Sequence, residues 1–205
     1  MNKKQIFGFS AILLVLMAGL YVLVLKPQLD NRTVPVVTDV TISNTEIGLD
    51  FKYPSGEKGY TLIEPPIASS TDAIKKIFLI MSTEEYIAYQ TTNAQRETPP
   101  TVSIFVFTAD AVPVTATPSG RVEQLRAWIR EYPQYSSFSL ATTSPEVVEL
   151  DGLKLLTYQT NGQYKQVVYV TTYGDNTYVF TGQFREVGDP IYNMFANLMQ
   201  SVSFN

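Results

Sequence analysis

The sequence predicts an α+β domain, an antiparallel β-sheet flanked by helices, carried behind an N-terminal transmembrane helix. Three observations predict it. Tight-turn signals at Asp151-Gly152, Asn161-Gly162 and Gly174-Asp175-Asn176 separate strand-like runs in the second half. Two segments, 117–131 and 189–199, collect their apolar residues on one helical face. Residues 6–25 carry no charge at all.

That apolar run, IFGFSAILLVLMAGLYVLVL, is twenty residues long. A helix of that length spans about 30 Å, the thickness of a bilayer's hydrocarbon core. Lys3, Lys4 and the amino terminus precede it. The positive-inside rule then makes residues 1–25 a cytoplasmic tip and single-pass signal anchor, with everything beyond on the outer side of the cell membrane. A cleaved signal peptide has a shorter apolar region, about 7–15 residues, ending in an A-x-A-like site. Leu16-Met17-Ala18 matches that poorly. The short lysine-flanked anchor points to a bacterium, where the Asn31-Arg32-Thr33 sequon carries little meaning. Residues 26–46 bear Thr, Val and Pro without helical period and read as an extended stalk that feeds an edge strand near 40–42.

The folded domain is expected over 47–205. Leu49, Phe51 and Tyr53 alternate with polar residues, as on a half-buried strand. Ser55-Gly56-Glu57-Lys58-Gly59 is turn chemistry, and 60–64 is the strand returning from FKYP. Pro65-Pro66 ends it, because proline donates no ladder hydrogen bond. Further strands are expected at 76–82 and 101–107. Residues 84–90 suit either a short helix or a strand extension, and 93–100 form a polar loop. In the first amphipathic helix Thr117 is placed to cap and Pro118 to occupy the first turn. Val122, Leu125, Trp128 and Ile129 face inward, Arg121, Arg126 and Arg130 outward, and Pro133 stops the helix. Strands follow at 146–150, 153–160, 164–173 and 177–184. Asp189-Pro190 caps a last helix whose inner face is Ile191, Phe195, Leu198 and Met199.

Composition excludes several chemistries. The chain has no His, so imidazole acid–base work and His-ligated zinc are ruled out. It has no Cys, hence no disulfide, thiolate nucleophile or lipoprotein lipidation site. Beyond Lys26, 12 basic residues stand against 19 acidic ones, a balance of −7. Such a surface is unsuited to nucleic acid, whose phosphates demand a basic face.

Short motifs suggest chemistry that their context does not support. Ser55-Gly56-Glu57-Lys58 spells the S-x-x-K of penicillin-binding proteins, but its companion S-D-N and K-T-G elements are missing and the pair falls between two strands. The wording KGYTLIE matches a prepilin processing site, yet Glu64 is followed by Pro-Pro rather than an apolar assembly helix. Glu84-Glu85 and Glu146, Glu149 and Asp151 could pair as glycosidase carboxylates or hold a hard cation, although solvated surface acids are commoner. No residue is assigned to catalysis, a cofactor or a metal. The candidate partner-binding residues are Tyr158, Tyr164, Tyr169, Tyr173 and Tyr178, which crowd the last hairpins, since aromatic faces suit protein or sugar recognition. Half-buried packing is the commoner role of a strand tyrosine.

The opening FKYPSGEKGY, the helix before EYPQY, the Leu150-Asp151-Gly152 turn leading to TYVFTGQF, and the last helix running into LMQSVSF occur in an order that resembles the PsbP/Mog1-like family. The resemblance covers about 47–205. It implies an α/β/α sandwich around an antiparallel sheet, and a non-enzymatic domain that binds or stabilises a partner. Members assist photosystem assembly or bind a small GTPase. This chain departs from the photosynthetic members in lacking histidine and in keeping a membrane anchor. The expectation is therefore a single-pass, membrane-anchored extracytoplasmic interaction or assembly factor for a protein partner at the cell envelope. The alternatives are an anchored, carboxylate-dependent envelope hydrolase and a structural subunit of a secretion or surface complex. N-terminal sequencing of the protein isolated from membranes is expected to begin at or near Met1; a start near Gly19 or later would refute the anchor.

Overall fold

A computed structural model describes residues 37–67, 73–91, 97–108 and 118–205. The apolar run 6–25, most of the stalk and the Thr117 cap lie outside the described residues. In chain order the elements are strands β1 (Thr38–Asn44), β2 (Leu49–Ser55), β3 (Tyr60–Ile63) and β4 (Ile74–Ser82), helix α1 (Thr83–Thr91) and strand β5 (Val102–Thr108). Helices α2 (Pro118–Glu131) and α3 (Pro133–Ser136) and a 3₁₀ turn at Phe138–Leu140 come next. Strands β6 (Glu146–Leu150), β7 (Leu153–Asn161), β8 (Lys165–Tyr173) and β9 (Asn176–Phe184), helix α4 (Pro190–Ser201) and strand β10 (Ser203–Phe204) complete the chain. Val37–Asn205 forms one compact unit, so β1 belongs to the sheet as an edge strand paired with β2.

Ten strands among the described residues share one sheet, ordered β1-β2-β3-β4-β5-β9-β8-β7-β6, with β10 on the second edge of β2. Its middle is buried on both faces. Along β9, Tyr178 and Phe180 enter one core while Val179 enters the other, the period-2 alternation of a strand covered twice. The first core gathers Leu49, Phe51 and Tyr53 of β2, Ile104 and Val106 of β5, and Ile191, Phe195, Leu198 and Met199 of α4. The second gathers Leu156 and Tyr158 of β7, Val168 and Val170 of β8, and Val122, Leu125, Trp128 and Ile129 of α2. Both predicted helix faces are thus the buried ones. Burial of side chains this size is worth about 1.5–3 kcal/mol each, which is why the helices hold their faces inward.

The sheet departs from the expected all-antiparallel sandwich. β2 and β3 meet in a parallel bridge, Ser55 opposite Tyr60, so residues 60–63 do not return along FKYP. The Gly59 amide donates to the Gly56 carbonyl at 3.0 Å, closing a turn after which the chain resumes in its original direction, one lane over. A Cβ on Gly59 would lie 2.6 Å from the Pro54 carbonyl oxygen, so only glycine fits the jog. β3 then pairs antiparallel with β4. The second edge of β2 is filled by the C-terminus: Lys52 N–H donates to Ser201 Oγ at 2.8 Å and β10 pairs with Leu49 and Asp50. The result is a mixed sheet, richer in strands than an α/β/α sandwich.

Local details also depart from expectation. Asn161 extends β7 and pairs with Lys165, so the hairpin loop is three residues, Gly162 to Tyr164, rather than a two-residue Asn-Gly turn. Asp189 stands at the N-cap of α4, its carbonyl accepting the Asn193 amide at 3.2 Å, but its carboxylate does not cap the helix; Oδ2 accepts from the Arg185 and Glu186 amides at 2.7 and 3.2 Å, folding the preceding loop instead. Pro133 ends α2 and also begins α3, whose first turn accommodates it. Arg126 turns back to donate to the Pro145 carbonyl at 3.0 Å rather than pointing to solvent. Residues 83–91 are helical, but none of α1 is buried.

Gly182, two residues before the end of β9, seats the ring of Phe195: an added Cβ would come within 2.7 Å of three of its ring atoms. Gly182→Ala is expected to destabilise the domain by about 1–3 kcal/mol, the usual cost of overpacking. Urea unfolding followed by the fluorescence of the single tryptophan, Trp128, would measure it. The double variant with Phe195→Leu should lose less than the two singles combined, and strict additivity would refute the contact.

Candidate functional site

At one end of the sheet β2, β4, β9 and β7 finish and β3, β5 and β8 begin, as the pairs Ser55–Tyr60, Tyr60–Ser82, Ile80–Val102, Lys165–Phe184 and Asn161–Lys165 require. The connections gathered there enclose a cleft. One wall is α1, which follows β4 without a break and is pinned by Thr83: its amide donates to the Gly59 carbonyl at 3.1 Å, its hydroxyl to the Gly56 carbonyl at 2.9 Å. The other wall is the loop from Arg185 to Asp189. The larger hollow, about 550 Å3, is lined among others by Lys58, Tyr60, Glu84, Glu85, Arg185 and Asp189. A second, about 260 Å3, adjoins it; Glu85, Ala88 and Arg185 belong to both, and Tyr89, Glu97, Pro99 and Tyr164 complete it.

An ion pair bridges the cleft. Arg185 Nη2 donates to Glu85 Oε1 at 2.8 Å, and the guanidinium stands 5.7 Å over the Tyr164 ring. Tyr164 Oη in turn donates to the Thr98 carbonyl at 3.0 Å. Three connections, β4 to β5, β7 to β8 and β9 to α4, are thereby tied together. The hydrogen bond to Glu85 raises the Arg185 pKa above its ordinary value, so the guanidinium stays charged. Burial, aided by the Glu85 and Asp189 carboxylates, pushes the Tyr60 phenol up to about 12, so it is a neutral donor and acceptor at physiological pH.

Glu85 is engaged by Arg185, and Asp189 by two backbone amides. Ser55 is the last residue of β2 and Lys58 lies in the turn, 4.0 Å from Glu84; neither stands on a helix, as S-x-x-K chemistry needs. Glu146 and Glu149 are exposed on the sheet's last strand, while Asp151 accepts the Phe204 amide at 3.2 Å. Among the described residues no three Asp, Glu, His or Cys side chains are grouped as metal ligands.

The structure disperses the five candidate tyrosines. Tyr158 is 2% exposed in the second core and donates to the Ser136 carbonyl at 2.7 Å. Tyr178 is fully buried in the first core, its hydroxyl donating to the Ile47 carbonyl. Burial raises the pKa of both phenols. Tyr169 packs on Phe195 and Tyr173 on Phe204, both half-buried. Tyr164 alone of the five lines the cleft. Sequence reasoning noticed Glu84-Glu85 but missed Arg185, Tyr60 and Glu97. No local signal marks them, because Arg185 and Glu85 meet across 100 residues of chain.

The Tyr60 assignment has a pH consequence. Its folded pKa, about 12, exceeds the ordinary 10.0, so the folded state holds the proton more tightly. The associated stability is complete below pH 10 and is lost as pH rises toward about 12. Tyr60→Phe should remove one late tyrosine from a 295 nm absorbance titration and flatten the pH dependence of stability over that interval. An unchanged late component would refute it.

No family model matches the chain, and no curated protein does. Among solved structures, the solution structure of cyanobacterial PsbP (CyanoP) from Synechocystis sp. PCC 6803 is similar, with a TM-score of 0.52 and 16% identity over 84% of this chain and 96% of that one. A crystal structure from Bacteroides thetaiotaomicron VPI-5482 superposes at a TM-score of 0.43 and 10% identity, over 80% of this chain and 48% of that one. The fold of residues 37–205 is that of a PsbP-like domain.

Proposed function

We propose that this chain is a non-enzymatic, membrane-anchored interaction or assembly factor whose PsbP-like domain stands outside the cell membrane and binds a protein partner through the strand-end cleft. The observation that carries the reading is the composition of the cleft's lining. Tyr89 on α1 is 40% exposed and lines the smaller hollow together with Tyr164 and the Glu85–Arg185 bridge. Accessible aromatic side chains beside a fixed polar centre are what protein-binding surfaces offer: area to bury and groups to orient. Tyr164 contributes an aromatic wall whose hydroxyl is already satisfied.

The extracytoplasmic placement rests on the uncharged run at 6–25 and on Lys3 and Lys4 before it. The non-enzymatic reading is supported by the engagement of Glu85 and Asp189, which leaves neither as a free acid or base. Affinity purification of the full chain from crosslinked membranes tests the proposal. A defined protein partner should be recovered with the natural chain and lost or strongly reduced with Tyr89→Ser, whose exposed position leaves the fold intact. Recovery of no partner, together with hydrolysis of envelope glycans by the purified chain, would overturn it in favour of a carboxylate-dependent hydrolase. Capture unaffected by Tyr89→Ser would place the interface elsewhere.

A further inference from the structure

We propose that the smaller hollow of the cleft receives a basic side chain, lysine or arginine, from that protein partner. The inference rests on the protein-binding reading and names the chemistry of its anchor. The chain itself demonstrates the mode. Arg185 is held between a carboxylate, Glu85, at 2.8 Å and an aromatic face, Tyr164, at 5.7 Å. Cations are stabilised by that combination through charge and through the ring quadrupole.

The same residue types recur in the lining of the hollow. Glu97 and Tyr89 line the hollow together with Tyr164, and Glu97 forms no salt bridge among the described residues. Among the described residues, two carboxylates and one cation line this hollow. Arg185 balances Glu85, leaving the charge of Glu97 for an incoming group. Tyr89 is 40% exposed, so its ring is accessible, and Tyr164 is fixed by its hydrogen bond to the Thr98 carbonyl, so the wall needs no reordering. An anion would fare worse. It would have to displace Glu85 from Arg185, or draw Lys58 from its place 4.0 Å from Glu84, and would face Glu84, Glu97 and Asp189 around the joined hollows. The acidic balance of the chain beyond Lys26, 12 basic residues against 19 acidic, steers basic partners in the same direction.

The test uses the full chain in detergent micelles, titrated at low ionic strength with a fluorescent lysine decapeptide and, separately, a glutamate decapeptide. The lysine peptide should bind and the glutamate peptide should not. Glu97→Gln should weaken lysine-peptide binding about tenfold and Tyr89→Ala several-fold. Glu149→Gln, which removes the same charge from the exposed β6, should change it by less than about twofold. Equal losses in Glu97→Gln and Glu149→Gln would reduce the effect to general surface charge and overturn the proposal. Preference for the glutamate peptide would overturn it in favour of Arg185 as an anion receptor, and absence of lysine-peptide binding would overturn it outright. If a crosslinked partner is still captured in that last case, only the chemistry of the hollow is wrong. If Glu97-dependent binding is seen but no partner is captured, the hollow stands and the wider reading falls.

Discussion

The two-sided burial of β9 is the constraint on which the rest of the structure depends. This strand is hydrogen-bonded to β5 on one side and β8 on the other, and its alternate side chains serve two separate cores. Any register slip by one residue would exchange those sets, placing Tyr178 and Phe180 under α2 and Val179 under α4. Gly182 strengthens the constraint, because the ring of Phe195 occupies the space a side chain would need. Helix α4 can therefore sit in one place only, and its C-terminal continuation is aimed at the edge of β2. From there Ser201 and β10 complete hydrogen bonding that the parallel jog at Gly59 leaves open.

The strand-end cleft inherits its precision from this arrangement. Its walls are connections, but each leaves a strand whose position is fixed by the cores. Arg185 follows the last residue of β9, Tyr60 opens β3, and Thr83 begins α1 directly after β4. The Glu85–Arg185 pair is partly exposed, and pairs of that kind contribute about 0–1 kcal/mol to stability. Its effect is positional. It holds α1, which buries nothing of its own, against the loop before α4, and it places the guanidinium on Tyr164.

Much of the fold was legible. The inner faces of both long helices, the strands from 146 to 184 and the Asp151-Gly152 turn follow from apolar period and turn chemistry, which act over a few residues. The failures were long-range. Lys58 to Glu64 reads as a turn and a returning strand, but whether a strand returns or moves one lane over is decided by what lies beside it; here the partner is β4. Asp189 carries the wording of a helix cap, and its carboxylate found two closer amides in the loop behind it. Tyr158 and Tyr178, which look like recognition residues in a tyrosine-rich run, are core residues because their strands are covered on both faces. Arg185 was unnoticed because nothing near it in sequence predicts Glu85.

The sequence by itself determined the presence of a twenty-residue uncharged segment, the absence of histidine and cysteine chemistry, the sheet-and-helix class and which side of each long helix is apolar. These depend on composition and on periods of two and 3.6 residues, which need no knowledge of neighbours. Tertiary structure alone decided the parallel step between β2 and β3, the closure of the β2 edge by the C-terminus, and the meeting of Glu85, Arg185, Tyr164 and Thr98 in one cleft. Apart from the Ser55–Tyr60 step, those are contacts between residues tens to about 150 positions apart, and they exist because a doubly covered central strand lines up the strand ends on either side of it.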